Sequence, residues 1–430
     1  IILNNMWLDK IIQIFKIRDL RRSILFVLAM LFIFRIVAHI PIPGINLENL
    51  KEFFSSNQIL GLINIFSGGG MQNFSIVAMG VAPYITASII FQLLVMIVPK
   101  LEELSKEPGG YQKINRWTRF LTVPLAALQG YGMITLLKQQ STFDIIGNLS
   151  VFDLITTLTT LTAGTIFLMW IGELISEKNI GNGISLLIFA GIIAALPSAL
   201  ERSVAVFDPG QIAVLIAFAA IAVITVIGVV IINEGTRNVP VSYARHIRGN
   251  RMYGGVTTHL PLRVNMAGVI PIIFAISLIL FPPMIAQFFM HAKSQVLVKI
   301  SEFTIQVFQN RLIYGILYFV FVFGFTYFYT AVIFHPQQIA ENLQKQGGFI
   351  PGIRPGKNTE EYLAKVTNRI ILAGALFLGL LAILPLILQN FTGGLNLVIG
   401  GTSLLIVVSV VIESVKQVES QMTMRDYEGL

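Results

Sequence analysis

The sequence predicts an all-α integral membrane protein with ten transmembrane helices, and three observations carry that prediction. First, 55% of the 430 residues are hydrophobic and only 12% are charged. Soluble chains carry roughly a quarter charged residues, so lipid is the solvent this composition suits. Second, ten stretches are apolar, nearly uncharged and close to the ~20 residues a helix needs to cross hydrocarbon. Third, the basic residues alternate from one connecting segment to the next.

In chain order the stretches are Ser23–Ile40, Phe74–Val98, Phe120–Leu137, Leu154–Ile175 and Ile184–Leu200, then Ile212–Ile232, Val264–Met290, Leu312–Phe334, Ile370–Leu388 and Leu397–Ile412. Pro-Ile-Pro-Gly follows the first stretch where a signal peptide would carry a small-x-small site, so that span is read as uncleaved. Of the 30 Lys and Arg, 23 fall before span one and after spans two, four, six, eight and ten; six fall on the opposite side, and Arg35 lies within span one. Basic loops stay in the cytoplasm, which puts both termini there.

Two cytoplasmic loops, Asn233–Arg263 and His335–Arg369, are long and rich in Gly, Pro and Arg. Loops beyond ~12–15 residues are usually functional or disordered, so these read either as structured docking surface or as solvated basic loops. On the external side, Gln58–Phe66 (QILGLINIF) is apolar and helix-like, and Ser67-Gly68-Gly69-Gly70 breaks it. Nine residues at 1.5 Å give ~14 Å, about half a bilayer crossing. A re-entrant half-helix and an amphipathic surface helix both fit these residues.

The chemistry expected of an enzyme or an ion-coupled carrier is missing. Arg35 and Glu173 are the charges within the ten spans, and both sit toward span ends. There is no cysteine, which excludes thiol nucleophiles and thiolate metal sites. The five histidines are scattered, without HExxH or paired metal spacing, and no GxxxxGK[ST] phosphate loop occurs. The chain reads as a conduit whose energy comes from a partner. No catalytic residue, metal or cofactor is expected. Ser75, Thr86, Ser88 and Gln92 in span two, Gln129 in span three and Asn265 at the start of span seven are uncharged polar groups. They serve either as interhelical hydrogen-bond glue or as a seam that opens. Pro83 and Pro271 read as breaks within spans two and seven.

Seven ordered stretches resemble the SecY family, the channel-forming subunit of the bacterial protein-translocation complex. They are PIPG (Pro41–Gly44), FSGGG (Phe66–Gly70), PYITASIIFQLL (Pro83–Leu94), GNGISLLIFAGI (Gly181–Ile192), THLPLRVNMAGVIP (Thr258–Pro271), PGIRPG (Pro351–Gly356) and GGTSLLIVV (Gly400–Val408). The resemblance implies two pseudo-symmetric five-helix halves around an hourglass pore. The divisions are then a cytoplasmic segment 1–22, an N-terminal half 23–200 with a plug half-helix 58–70, a C-terminal half 212–412 with cytoplasmic loops 233–263 and 335–369, and a cytoplasmic tail 413–430.

Matched motif by motif, the resemblance implies a pore ring of Val81, Ile85, Ile188, Ile192, Ile273 and Ile406. It implies a plug with its hinge at Leu62, Ile63, Ile65, Phe66, Gly68, Gly69 and Gly70, and a lateral gate beside Thr86, Ser88, Gln92, Gln129 and Asn265. Arg237, Arg245, Arg248 and Arg354 are implied to dock cytosolic partners. The implied activity is passage of unfolded secretory polypeptides across the membrane, with lateral release of signal sequences and transmembrane segments into lipid. The implied partners are the SecE and SecG subunits, the SecA motor ATPase, the ribosome, preproteins, nascent membrane proteins and membrane lipids, in the bacterial inner membrane. A secondary transporter needs a charged or carbonyl-rich midplane site that these spans lack. An intramembrane enzyme lacks a nucleophile or metal set, and a scaffold without a pore leaves the matching motifs unexplained.

Overall fold

The computed structural model describes residues 16–43, 45–50, 69–139, 150–205, 212–243, 246–248, 251–253, 257–290, 294–391 and 401–428. Each of the ten apolar stretches contains a helix. The chain order is α1 (Arg18–Val37), α2 (Ala82–Ile97), α3 (Pro99–Lys106), α4 (Gly110–Gln139), α5 (Val151–Ser176), α6 (Gly183–Ala205) and α7 (Ile212–Glu234). Strands β1 (Thr236–Tyr243), β2 (His246–Arg248), β3 (Arg251–Tyr253) and β4 (Thr257–Arg263) follow. Then come α8 (Ile270–Phe289), α9 (Gln295–Gln309), α10 (Arg311–Ile333), α11 (Pro336–Lys345), β5 (Gly348–Phe349), α12 (Lys357–Phe391) and α13 (Gly401–Glu428). Among the described residues, the segments Gly110–Lys138, Val151–Ser176, Arg311–Lys345 and Lys357–Leu388 are long and apolar enough to cross a bilayer; α2 with α3 makes a fifth if that bent pair is one span.

The helices fall into two compact units, one of Ile1–Ile212, Ser277–Asn310 and Gly394–Leu430, the other of Ala213–Ile276 and Arg311–Gly393. In the first unit, α2 packs on α4, α4 on α5, α5 on α6, and α6 on α13, while α1 lies against α5 and α6. Its core joins Phe74, Ala78 and Met79 to Met133, Ile134 and Leu137 of α4 and Leu161 of α5.

Here the structure corrects the sequence reading. Residues 74–81, taken as the start of span two, form a mostly buried series of turns, with Ser75 bridged to Pro41. Phe74 at φ +40° and Gly80 at φ +57° occupy left-handed backbone that no α-helix contains. Pro83 then falls in the first turn of α2, where its missing N–H is no loss. Pro271 is likewise the second residue of α8. Neither proline breaks a span; among the described residues, the prolines inside helices are Pro124, Pro197, Pro282, Pro283 and Pro385. At the far end of α2 the chain bends by 102° into α3. Val98 sits before Pro99 and takes extended backbone, as pre-proline residues prefer.

In the second unit the two long loops become one lobe. β1 pairs antiparallel with β4 from Thr236↔Arg263 to Ser242↔Thr257, and with β5 at Ser242↔Phe349 and Tyr243↔Gly348. Val239, Val241 and Leu262 from the first loop share a core with Leu343, Ile350, Leu363 and Val366 from the second. α11 packs on α12, and α10 runs along α12. Both long loops thus contribute strands to one sheet, and α12 extends 13 residues beyond the apolar stretch that began at Ile370, into this lobe.

Candidate functional site

The six apolar ring positions are all buried. Val81 is the N-cap of α2, and its carbonyl accepts from Ile85 N at 3.0 Å, closing the helix's first turn. Ile188 and Ile192 lie one turn apart on α6. Ile406 lies on α13, which packs directly on α6, so these three residues sit on touching helices. Ile273 belongs to the other unit, in the first turn of α8. None of these side chains carries a polar atom, so they offer nothing to replace an ion's hydration shell.

The sequence places α6 with care. Asn182 Oδ1 accepts from Ile184 N at 3.1 Å and from Ser185 N at 3.2 Å, capping the helix. Gly183 N donates to Ser176 Oγ at 2.9 Å, and that hydroxyl donates to Gly172 O at 2.9 Å. The approach of α5 and α6 requires glycine, since a Cβ at Gly183 would stand 1.8 Å from Gly172 O. Below this joint, Gln421 Nε2 of α13 donates to Asn179 O at 2.7 Å and to Lys178 O at 3.4 Å. Asn179 is left-handed at φ +54°, a conformation asparagine tolerates. Gln421 escapes sequence reasoning because its partner is 242 residues away; Asn182 before a glycine and an apolar run is a readable cap signal.

The gate positions divide between the units. Gln129 Nε2 of α4 lies 3.4 Å from Thr86 Oγ1 of α2, a long contact that joins the two helices. Gln92 Nε2 donates to Ser88 Oγ at 3.1 Å within α2. Gln92 Oε1 is buried with no partner, an unspent acceptor on this helix. Asn265 precedes α8 instead of beginning the helix, and its Nδ2 donates to Asn233 Oδ1 at 2.7 Å and Gly268 O at 3.2 Å. It therefore ties together the two ends of the segment that carries β1 to β4.

Of the plug residues, Leu62, Ile63, Ile65, Phe66 and Gly68 lie outside the described residues. Gly69, at φ +78°, takes left-handed backbone that glycine adopts readily, and Gly70 O accepts from Ser75 N at 2.8 Å. Arg237 stands exposed on β1. Arg354 is exposed at the tip of a turn held between Gly352 at φ +82° and Gly356 at φ +97°, with Thr359 Oγ1 donating to Arg354 O at 3.0 Å. Arg248 lies on β2, and Arg245 is outside the described residues.

Several polar groups elsewhere in the spans are paired. Glu173 Oε1 lies 2.7 Å from Arg119 Nε, so its charge is paired. On the Thr-rich α5, Thr156, Thr159, Thr160, Thr162 and Thr165 each donate to the carbonyl four residues back. A hydroxyl satisfied in that way can face lipid or core without lining a path.

This architecture defines a multi-spanning helical membrane protein, and the six positions assigned to a ring are buried and apolar. The family model for SecY matches residues 75–415. The chain is 44% identical to the protein translocase subunit SecY of Streptomyces galbus over 96% of its own length and 98% of that protein's. It is 43% identical to the subunit of the same name from Halalkalibacterium halodurans, covering 97% of this chain and 98% of that one. Its fold is similar to the solved structure described as a protein conducting channel, at TM-score 0.63 and 18% identity, covering 92% of this chain and 91% of the other. It is also similar to Sec61 in the canine ribosome-channel complex from the endoplasmic reticulum, at TM-score 0.59 and 17% identity over 92% and 91% of the two chains. The chain belongs to the SecY family.

Proposed function

We propose that this protein is the channel subunit of a protein translocase, passing unfolded polypeptides across the membrane and releasing sufficiently apolar segments sideways into lipid. Family membership over nearly the whole chain carries this reading. The buried, apolar character of all six mapped ring positions agrees with it. A ring of branched hydrocarbon side chains can close by dewetting and still part around a chain of almost any sequence, because it makes no specific hydrogen bonds. Selection between secretion and membrane insertion is then a matter of solvation, each central charge opposing partition by ~2.5–3.5 kcal/mol.

In this reading the two five-helix halves, 23–200 and 212–412, enclose the pore, and Gly68, Gly69 and Gly70 hinge the plug that carries Leu62, Ile63, Ile65 and Phe66. The seam beside Thr86, Ser88, Gln92, Gln129 and Asn265 opens laterally. SecE and SecG complete the complex in the bacterial inner membrane, with both termini in the cytoplasm. The lobe bearing Arg237, Arg245, Arg248 and Arg354 receives the ribosome or the SecA motor. Arginines suit both ribosomal phosphates and acidic protein surfaces, and Arg237 and Arg354 are exposed.

The test uses the absence of native cysteine. One cysteine is placed at Ile192, the complex is reconstituted with its motor, and a secretory substrate with a mid-chain cysteine is stalled in transit. A disulfide that depends on motor and ATP is expected. Absence of crosslinks at Ile192, Ile85 and Ile406, despite confirmed stalling, sinks the pore assignment. For the lateral gate, a disulfide engineered between spans two and seven is expected to block secretion until reduced; undiminished transport in the locked form contradicts the gate.

A further inference from the structure

Helix α9 (Gln295–Gln309) has no place in the channel reading, yet its surface is ordered in a specific way. At 100° per residue its side chains sort into three stripes. Val298, Ser301, Ile305 and Phe308 form the protein-facing stripe: Ser301 is buried and the others are half-buried. Gln295, Lys299, Glu302, Gln306 and Gln309 form a polar stripe, all exposed. The third stripe is apolar and also open: Val296, Ile300 and Phe303 are 66%, 57% and 67% exposed, with Val307 on the same line.

In water, three large apolar side chains this exposed on one helix face need a cover. The chain itself indicates which. α9 starts five residues after α8 ends at Phe289, and the single residue Asn310 separates it from α10. Five residues span at most ~18 Å, so α9 is leashed at both ends to apolar helices placed as spans seven and eight. The residues that follow at once in α10, Leu312, Ile316 and Val320, are themselves exposed and apolar, as lipid-facing side chains are. A helix held at the level where two spans leave the bilayer, with adjacent polar and apolar stripes besides its protein face, matches the boundary between headgroups and hydrocarbon.

We infer that α9 is a membrane-interface helix on the external surface, with Val296, Ile300, Phe303 and Val307 dipping into the acyl region and the polar stripe facing water. The occupant of the open apolar face is lipid. This rests on the reading of α8 and α10 as spans joined externally.

The cysteine-free chain makes the test direct. Single cysteines at Val296, Ile300 and Phe303, and at Lys299, Glu302 and Gln306, are spin-labelled in the assembled complex in phospholipid vesicles. Collision with oxygen, which concentrates in lipid, is compared with collision with a water-soluble nickel chelate. The apolar sites are expected to favour oxygen and the polar sites nickel, with a severalfold difference in the accessibility ratio that follows the helical period. Equal nickel access at both sets would place the helix in water and overturn the proposal. Shielding of the apolar set from both reagents would overturn it too, since a partner subunit or a second copy would then be the cover. Sidedness is read separately, by reaction of E302C with a membrane-impermeant maleimide added to intact cells. Labelling there supports the external surface. Failure there, with the collision pattern intact, refutes the topology while upholding the interfacial placement.

Discussion

Replacing Gly183 with alanine adds one methyl group at the tightest helix–helix joint near the mapped ring. The new Cβ would stand 1.8 Å from Gly172 O, whereas real Cβ contacts do not fall below 3.0 Å. Helices α5 and α6 must therefore part by at least about 1.2 Å, the difference of those two distances. Neither partner can yield by rotating a side chain, because the obstacle is a backbone carbonyl. The displacement also stretches the 2.9 Å bond from Gly183 N to Ser176 Oγ beyond hydrogen-bonding range. Overpacking of this kind costs about 1–3 kcal/mol and the lost bond about 1 kcal/mol more. We expect a total near 3 kcal/mol, more than a hundredfold in the ratio of folded to unfolded protein.

Two companions calibrate the experiment. A Cβ at Gly172 meets Ile184 Cδ1 at 2.6 Å, the movable end of a side chain, so Gly172→Ala is expected to cost about 1 kcal/mol. A Cβ at Gly324 in α10 meets nothing within 4 Å, and Gly324→Ala is expected to stabilise by up to ~1 kcal/mol through helix propensity. Thermal unfolding of the purified full chain in detergent, followed by loss of the monodisperse peak, should rank the variants Gly324→Ala, wild type, Gly172→Ala, Gly183→Ala from most to least stable. Gly183→Ala melting with the wild type would refute the packing argument. Because α6 carries Ile188 and Ile192, the same variant is expected to translocate poorly even below its melting temperature.

Three further outcomes follow from the same structure. Ile192→Gly or Ile406→Gly is expected to leak ions at rest in planar bilayers, and unchanged resting conductance counts against the ring. Arg119 and Glu173 are 50% and 27% exposed, so their coupling in a double-mutant cycle with Gln at each position should not exceed about 1 kcal/mol. Glu173→Gln should still translocate, and loss of transport without loss of stability would give this carboxylate a transport role. Thr359→Val removes the hydroxyl that braces the Arg354 turn. Motor-driven transport is expected to fall severalfold with a stability change of about 1 kcal/mol, and an unaltered rate would show that the turn needs no such brace.

The ring and hinge positions were legible only through short motifs that resemble the SecY family. The structure adds that Ile188 and Ile192 lie one turn apart on α6 and that Gly69 takes left-handed backbone. Asn265 shows the limit. As a polar residue near an apolar run it fitted either hydrogen-bond glue or a seam, and only the structure shows that its amide binds Asn233, 32 positions earlier. Span two shows another: an apolar run from Phe74 looks continuous with the helix, but positive φ at Phe74 and Gly80 delays helix formation to Ala82. Hydrophobicity reports the solvent a segment suits, and says little about which backbone conformation its neighbours impose.

Composition and hydropathy alone determined that this chain suits lipid, that ten apolar stretches recur along it, and that those stretches carry almost no charge. Those properties follow from transfer free energy, summed residue by residue over a local window, and need no long-range contact. Only the tertiary structure decided that the two basic loops share one β-sheet and one core, that Glu173 is answered by Arg119, and that Gln421 braces the turn before α6. Each of these joins residues far apart in sequence. Their pairing depends on chain path and interatomic distance, which no local pattern of side chains encodes.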